Sequence, residues 1–569
     1  MRNFLNNLDQ SDRSRDPVVR LEGATLAPSW RANFVRRGRL LLVLWLGLLL
    51  LAACSLTPLS TSTPRRSGVE PTMIPADSTD PDASALITGA TDVAEPSPGT
   101  TDASEPSTPT RLPTPTPVPL PEVCLRQRFV EDVQACHMAP RYDIELTVDP
   151  ASARVTGREF ITYTNSEEEP VEAVYLRLFP NARGYGGTMV VTDVLRTGEP
   201  ITPTLEQERT ALRLPLSRPL EPGEPITFSL NFTVDVPTVR LPGHALFSYV
   251  RGVMSLPTVY PIIPVHDDEG WNTQIVPEHG DEVYTDVAVH KVRVSAPSDL
   301  TLIASGACTN PEDGVWMCDA GPMRDFTLVL GENYARAARE VRGVVINSYY
   351  YQQHQWGGDR ALEVAADAFE IFTDLFGPYP YTELDVVETP NRLGGMEYSG
   401  LVVIEDGQYV GGGVEWLTAH EVAHQWWMVV VGNDQIDDPW LDEALTQYST
   451  LLYYEHVYGE ERAAAVLQGE FVRSYQSLVR RGRDMPAGLP ADAYPPSLYW
   501  DVVYDKGPLY FHELRERVGD EVFFEILQTY YQNHRYQIAT PDSWLAVVEA
   551  VSGDSQRDLF ETWIGDDSE

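Results

Sequence analysis

The stretch Trp416-Leu-Thr-Ala-His420-Glu421-Val-Ala-His424-Gln-Trp-Trp427 sets two histidines four residues apart, with a glutamate beside the first. On an α-helix, positions i and i+4 share one face about a turn apart, so His420 and His424 can point at one ion. Glu421 lies ~100° round the helix from His420. That makes it a poor third ligand from this turn, yet it can reach a water beside the ion. This is the H-E-x-x-H arrangement, with two His ligands and a Glu base. The competing reading is two imidazoles packed in a buried helix.

A hydrolytic zinc site needs three protein ligands and an open position for water. Trp440-Leu-Asp-Glu443-Ala-Leu-Thr-Gln-Tyr448 offers the third candidate, Glu443, with eighteen residues between it and His424. An acidic residue in the first turn of a helix is favourable without any metal, so the combination carries the reading and Glu443 alone does not.

The pattern His420-Glu421-x-x-His424-x18-Glu443 resembles that of the M1 family of zinc metallopeptidases, the gluzincin aminopeptidases. Further stretches agree. Gly394-Gly-Met396-Glu397-Tyr398 resembles the family's Gly-Ala-Met-Glu-Asn exopeptidase motif, and Tyr504-Asp-Lys-Gly507 its Tyr-x-Lys-Gly motif. Tyr142-Asp-Ile-Glu-Leu and Leu176-Arg-Leu-Phe-Pro-Asn181 look like its N-terminal β domain. The resemblance covers about 141–564.

The resemblance implies one zinc ion held by His420, His424 and Glu443, with Glu421 as general base. It implies Tyr504 as the hydrogen-bond donor to the tetrahedral oxyanion, with Tyr499 a weaker second candidate. It gives Glu397 the substrate's free α-ammonium, through a charge-assisted hydrogen bond. Gly394, Gly395 and Met396 would line an extended peptide, because glycine permits close approach. The implied partner is a peptide with a free N-terminus. Two departures stand out: Tyr398 replaces Asn and Gly395 replaces Ala in the exopeptidase motif. The family's C-terminal helical cover is not expected after the catalytic domain. A zinc endopeptidase of the same fold and a non-catalytic peptide-binding lipoprotein therefore stay open as alternatives.

Around this centre, composition narrows the partners. The 569 residues carry 83 Asp+Glu against 42 Lys+Arg, a net charge of −41. That argues against nucleic acid and against docking on an anionic membrane through charge. Arg31, Arg36, Arg37 and Arg39 precede an apolar run at 40–53 that is short for a span and suits a signal h-region. Leu51-Ala52-Ala53-Cys54 resembles the cleavage box of bacterial lipoproteins. The expectation is a signal peptide at 1–53, a lipid at Cys54, and a place outside the cytoplasmic membrane. Residues 54–121 are rich in Ser, Thr and Pro and read as a disordered linker. Four further cysteines read as two local disulfides, Cys124–Cys136 and Cys308–Cys318.

From Arg141 onward the pattern is β: alternation at 142–148 and 158–164, with further runs at 171–178, 226–234 and 288–294. Short strands at this spacing predict an N-terminal β-sandwich or saddle domain at 122–335. Helical periodicity then dominates, at 362–375, 414–430, 440–457, 460–480, 507–518, 521–533 and 543–551, with short strands at 384–387 and 401–404. The fold class is thus multidomain α+β, with a thermolysin-like, mainly helical catalytic domain at 336–569. His456 and His512 read as structural or exposed. His266, beside Asp267-Asp268-Glu269, reads as solvated loop charge, with a calcium-like ion as the alternative.

Overall fold

The structure is a computed structural model that describes residues 124–132, 136–239, 245–275, 279–281 and 283–565. The predicted signal peptide, linker and Cys54 lie outside these residues.

The alternation at 142–148 becomes β1 (Arg141–Asp149), which buries Tyr142, Ile144, Leu146 and Val148 and exposes the residues between them. Seven further strands join it: β2 (Arg154–Thr164), β3 (Thr188–Arg196), β4 (Glu199–Pro200), β5 (Pro225–Asp235), β6 (Ala288–Ser295), β7 (Ala307–Glu312) and β8 (Val315–Met323). The sheet order is β7-β8-β6-β1-β2-β5-β3-β4. β1 pairs parallel with β6 and antiparallel with β2. A four-stranded, a three-stranded and a two-stranded sheet accompany it in the β-rich half.

Of the two expected disulfides, one is present. Cys308 and Cys318 face each other across the β7–β8 ladder and are bonded. Cys124 and Cys136 are not joined by a disulfide. The reason is that Cys124 is drawn the other way, into the helical half. Its carbonyl accepts from Thr382 N at 2.9 Å, and Leu125 bridges to Tyr381. The buried thiol donates to Gly321 O at 3.2 Å, and burial pushes it up to about 12.

The helical half carries a five-stranded sheet: β9 (Tyr334–Val341), β10 (Val344–Tyr351), β11 (Glu383–Thr389), β12 (Gly395–Met396) and β13 (Leu401–Glu405), in the order β9-β10-β11-β13-β12. β10, β11 and β13 run parallel, and the two-residue β12 closes the edge antiparallel to β13. α1 (Gln355–Leu375) and α2 (Val414–Ala423) pack against it, α3 (Trp440–Tyr458) packs on both helices, and α4 (Gly507–Val518), α5 (Asp520–His534) and α6 (Pro541–Ser552) follow. The rings of Phe369, Phe372 and Phe376 gather round Trp426.

Two helices are shorter than their periodicity predicts. The run at 414–430 stays apolar to its end, but the helix stops at Ala423. Residues 424–431 fold into a buried turn, in which Val429 N donates to His424 O, Met428 N to Val431 O and Val431 N to Trp426 O. Burial alone makes that turn apolar, and hydropathy cannot distinguish it from a helix. The run at 460–480 is interrupted by a π-helical segment, Leu467–Val472. A second π-helical segment, Trp500–Lys506, carries Tyr504.

Candidate active site

α2 presents His420 and, at its C-terminal cap, His424. The first turn of α3 presents Glu443. The three donor atoms form a nearly equilateral triangle: His420 Nε2 to His424 Nε2 is 3.2 Å, and each lies 3.3 Å from Glu443 Oε2. Two ligands about 2.05 Å from an ion at a tetrahedral angle are about 3.3–3.4 Å apart, so the triangle has the size of three corners of a zinc tetrahedron. Glu443 Oε2 has no hydrogen-bond partner, as expected of an atom whose partner is an ion. His424 Nδ1 donates to Trp427 O at 3.0 Å, which turns the Nε2 lone pair toward the triangle. The donor set fits zinc: two imidazoles, one carboxylate and an open fourth direction.

That open direction is a cleft of about 260 Å³ lined by Gly395, Met396, Glu397, Glu421 and Tyr504 among others. Glu421 is buried, and its Oε2 has no hydrogen-bond partner. A Cβ on Gly395 would stand 2.0 Å from Glu421 Oε1, so the bare glycine leaves room for this carboxylate against the sheet edge. The Tyr504 hydroxyl donates to Glu443 Oε1 at 2.5 Å. Glu397 follows directly on β12, whose register Gly395↔Ile404 and Met396↔Val403 fixes its position. Gln435 Nε2 donates to Glu397 Oε1 at 3.4 Å. The Gln425 amide clasps the same loop, accepting from Gly400 N and donating to Tyr398 O.

Beside the triangle lies a second cluster. Asp281, Glu397 and Asp442 are all buried, and each brings an oxygen within 4.8 Å of the other two. Asp281 comes from the β-rich half. Asp442 Oδ2 has no partner, while its Oδ1 accepts from Glu443 N.

So many buried carboxylates distort one another's titration. Burial raises Glu421 well above the carboxylate range, and Glu397 adds to it. Burial lifts Glu397 to about 7 against the pull of His424. Asp281 and Asp442 are raised by burial and by their acidic neighbours. For Glu443, burial is outweighed by the two imidazoles, which hold it well below the usual range. For His424, burial is outweighed by Glu397, Glu443 and Glu421, which hold the ring's proton affinity up. The pocket carries an excess of negative charge that cations would relieve.

The structure thus gathers His420, His424, Glu443, Glu421, Glu397 and Tyr504 into one site, with Gly395 and Met396 on its wall. Gly394 stands just outside, in the positive-φ region (φ 102), and its carbonyl accepts from Glu405 N. Tyr499 is fully buried behind Tyr504, ring centroids 6.0 Å apart, and its hydroxyl has no partner. His266 lies outside, 3.6 Å from Glu167, and His512 is half-buried on α4, its proton affinity lowered to about 4 chiefly by burial of the ring. Sequence reading missed Asp281, Gln435 and Asp442. Asp442 stood next to a named ligand, but nothing in the irregular stretch round Asp281 marks it.

With this geometry in hand, comparison with known proteins is specific. Residues 360–563 match the model described as the Peptidase family M1 domain. Aminopeptidase N of Lactococcus lactis is 27% identical over 276 residues, 44% of this chain and 32% of that protein. Aminopeptidase N of Streptomyces lividans is 24% identical over 302 residues, 49% of this chain and 35% of that one. The chain spans between a quarter and about a third of the length of the curated relatives named here and of the plant aminopeptidases M1 it also matches. The M1 zinc metallopeptidase of Deinococcus radiodurans shares the fold, with a TM-score of 0.54 at 21% identity, covering 75% of this chain and 93% of that one. A mutant of that protein bound to a Tyr-Ser-Ala substrate aligns equally well, with a TM-score of 0.54 at 20% identity over 75% of this chain and 94% of that one.

Proposed function

We propose that this chain, whose residues 360–563 form a peptidase family M1 domain, is a zinc-dependent aminopeptidase that removes N-terminal residues from peptides. His420, His424 and Glu443 would hold the ion. Zinc bound there supplies Lewis acidity, making water acidic and polarising a carbonyl.

The remaining work falls to the chain's own residues. Glu421, buried and without a hydrogen-bond partner on Oε2, takes a proton from the attacking water and passes it to the leaving amine. Tyr504 turns its hydroxyl proton from Glu443 to the developing oxyanion. Glu397 and Asp281 line the cleft and receive the substrate's ammonium.

The observation that carries the exopeptidase reading is the second carboxylate cluster. Three oxygens up to 4.8 Å apart surround a point no more than about 2.8 Å from each, since 4.8/√3 ≈ 2.8, and that is the length of an N⁺–H···O⁻ hydrogen bond. An ammonium has three such donors. A peptide bond in mid-chain offers no charge to satisfy them.

The test compares zinc-loaded protein on aminoacyl amides and on the same compounds N-acetylated, with a chelator control. Chelator-sensitive cleavage of the free amines alone is expected. Equal cleavage of the blocked compounds would replace this reading with an endopeptidase.

The same reading keeps the enzyme at the cell exterior on a lipid at Cys54, supported by the apolar run and the small residues before that cysteine. Mass spectrometry of the mature N-terminus tests it: an unlipidated Cys54 removes it.

A further inference from the structure

The ammonium cluster occupies one side of the metal triangle. Glu397 groups with His424 at the late end of α2 and, in the second cluster, with Asp442 at the early end of α3. The opposite side is built from the early end of α2 and the next turn of α3. Trp416 stands one turn before His420, and Gln447 one turn after Glu443. Along α2, Trp416 and His424 are about 12 Å apart, eight residues at the helical rise. Both Trp416 and Gln447 line the cleft, together with Leu417 and Trp500.

Two features of that wall have no use in the chemistry above. Gln447 is 9% exposed, and its Oε1 has no hydrogen-bond partner, a costly state for a buried amide. Trp500 is 41% exposed, with its ring centroid 4.4 Å from that of Tyr504. A large aromatic left open at the mouth of a site is an anchor for something that covers it. It sits on the π-helical segment that also carries Tyr504, so the two are positioned together.

We infer that Trp416, Leu417, Gln447 and Trp500 form the subsite for the leaving peptide, and that it selects a bulky apolar or aromatic side chain at the second residue of the substrate. This rests on the aminopeptidase reading, which fixes the first residue on the Glu397 side. The second residue then crosses the triangle and reaches the tryptophan wall. A primary amide carries both a donor and an acceptor, so Gln447 pairs with the main-chain peptide group that follows the scissile bond. The preferred substrates are therefore peptides of three or more residues, or dipeptide amides, with Phe, Tyr, Leu or Met in second place.

Two measurements separate this inference from the reading beneath it. The first is calorimetric binding of N-acetylphenylalanine methylamide and N-acetylglycine methylamide to the zinc-loaded protein. Neither probe has an ammonium, so neither needs Glu397. The phenylalanine probe is expected to bind about tenfold tighter. That preference should vanish in Trp500→Ala and persist in Trp500→Phe, which keeps the aromatic surface and controls for misfolding. Equal binding of the two probes, or a preference that survives Trp500→Ala, overturns the subsite. The second is kcat/KM for Leu-Phe-amide, Leu-Gly-amide and Leu-amide. The Phe-to-Gly ratio is expected to be about ten or more, and Gln447→Met should lower the ratio of Leu-Phe-amide to Leu-amide. A Phe-to-Gly ratio near one also overturns it. Discrimination between the blocked probes with no cleavage of any free amine would remove the aminopeptidase reading and leave the subsite standing.

Discussion

The hydroxyl of Tyr504 donates to Glu443 Oε1 at 2.5 Å, while the other oxygen of the same carboxylate completes the triangle with His420 and His424. One residue of the π-helical segment is thus wired to a carboxylate proposed to hold the metal. Tyr504→Phe distinguishes a reacting role from a ligand-holding one. For a donor to the oxyanion, kcat falls by about 10²–10³-fold with zinc content intact. For a ligand-holding role alone, metal analysis would show weakened zinc binding, and kcat at saturating zinc would recover.

Glu421→Gln keeps the shape of the side chain and removes its basicity. Zinc content should stay at one per chain, and kcat should drop by about 10²–10⁴-fold. Parallel metal analysis and turnover measure both. Retained turnover would take the general-base role away from Glu421.

Glu397→Gln removes one charge from the ammonium cluster. A hydrogen bond to a charged group contributes ~1.5–3 kcal/mol, so kcat/KM on free-amine substrates should fall by about 10–150-fold. The N-acetylated analogues, uncleaved by the parent, should stay uncleaved, and zinc content should stay at one per chain. A fall in zinc content or in melting temperature that matches the lost activity would assign Glu397 a structural role instead.

Stability should depend on pH through Glu159, far from the site. This carboxyl is fully buried on β2, opposite Ile144 and Leu230, and neither oxygen has a partner. Burial raises its proton affinity well above the usual 4.5. The folded state therefore favours the protonated form. Its contribution is complete below the unfolded value and is lost as pH rises toward the folded one. Glu159→Gln should be close to neutral near pH 4 and more stable than the parent by ~1–3 kcal/mol at pH 8. Thermal melts across that range should show the gap widening with pH, and a constant gap contradicts the assignment.

How far the chain could be read depended on the range of the interaction. β1 and β2 were legible because their alternation records one buried and one open face. α3, α4 and α5 were legible for the same kind of reason. The end of α2 was not, because a buried turn and a buried helix have equal hydropathy. Neither was the state of Cys124, whose proximity to Cys136 along the chain counts for less than the pairing of residues 124–125 with Tyr381 and Thr382.

The sequence by itself placed His420 and His424 on one helix face, since i,i+4 is local geometry, and it offered Glu443 only through a spacing that resembles the family's. It also marked Glu421, Glu397 and Tyr504, through motifs that travel as short strings. Only the tertiary structure decided what surrounds them. Asp281 reaches Glu397 and Asp442 from the β-rich half, and Gln447 and Trp500 line one cleft from separate helical segments. No local pattern encodes such neighbours. Their positions follow from how sheet and helices pack to bury apolar surface, and that packing is a property of the whole fold.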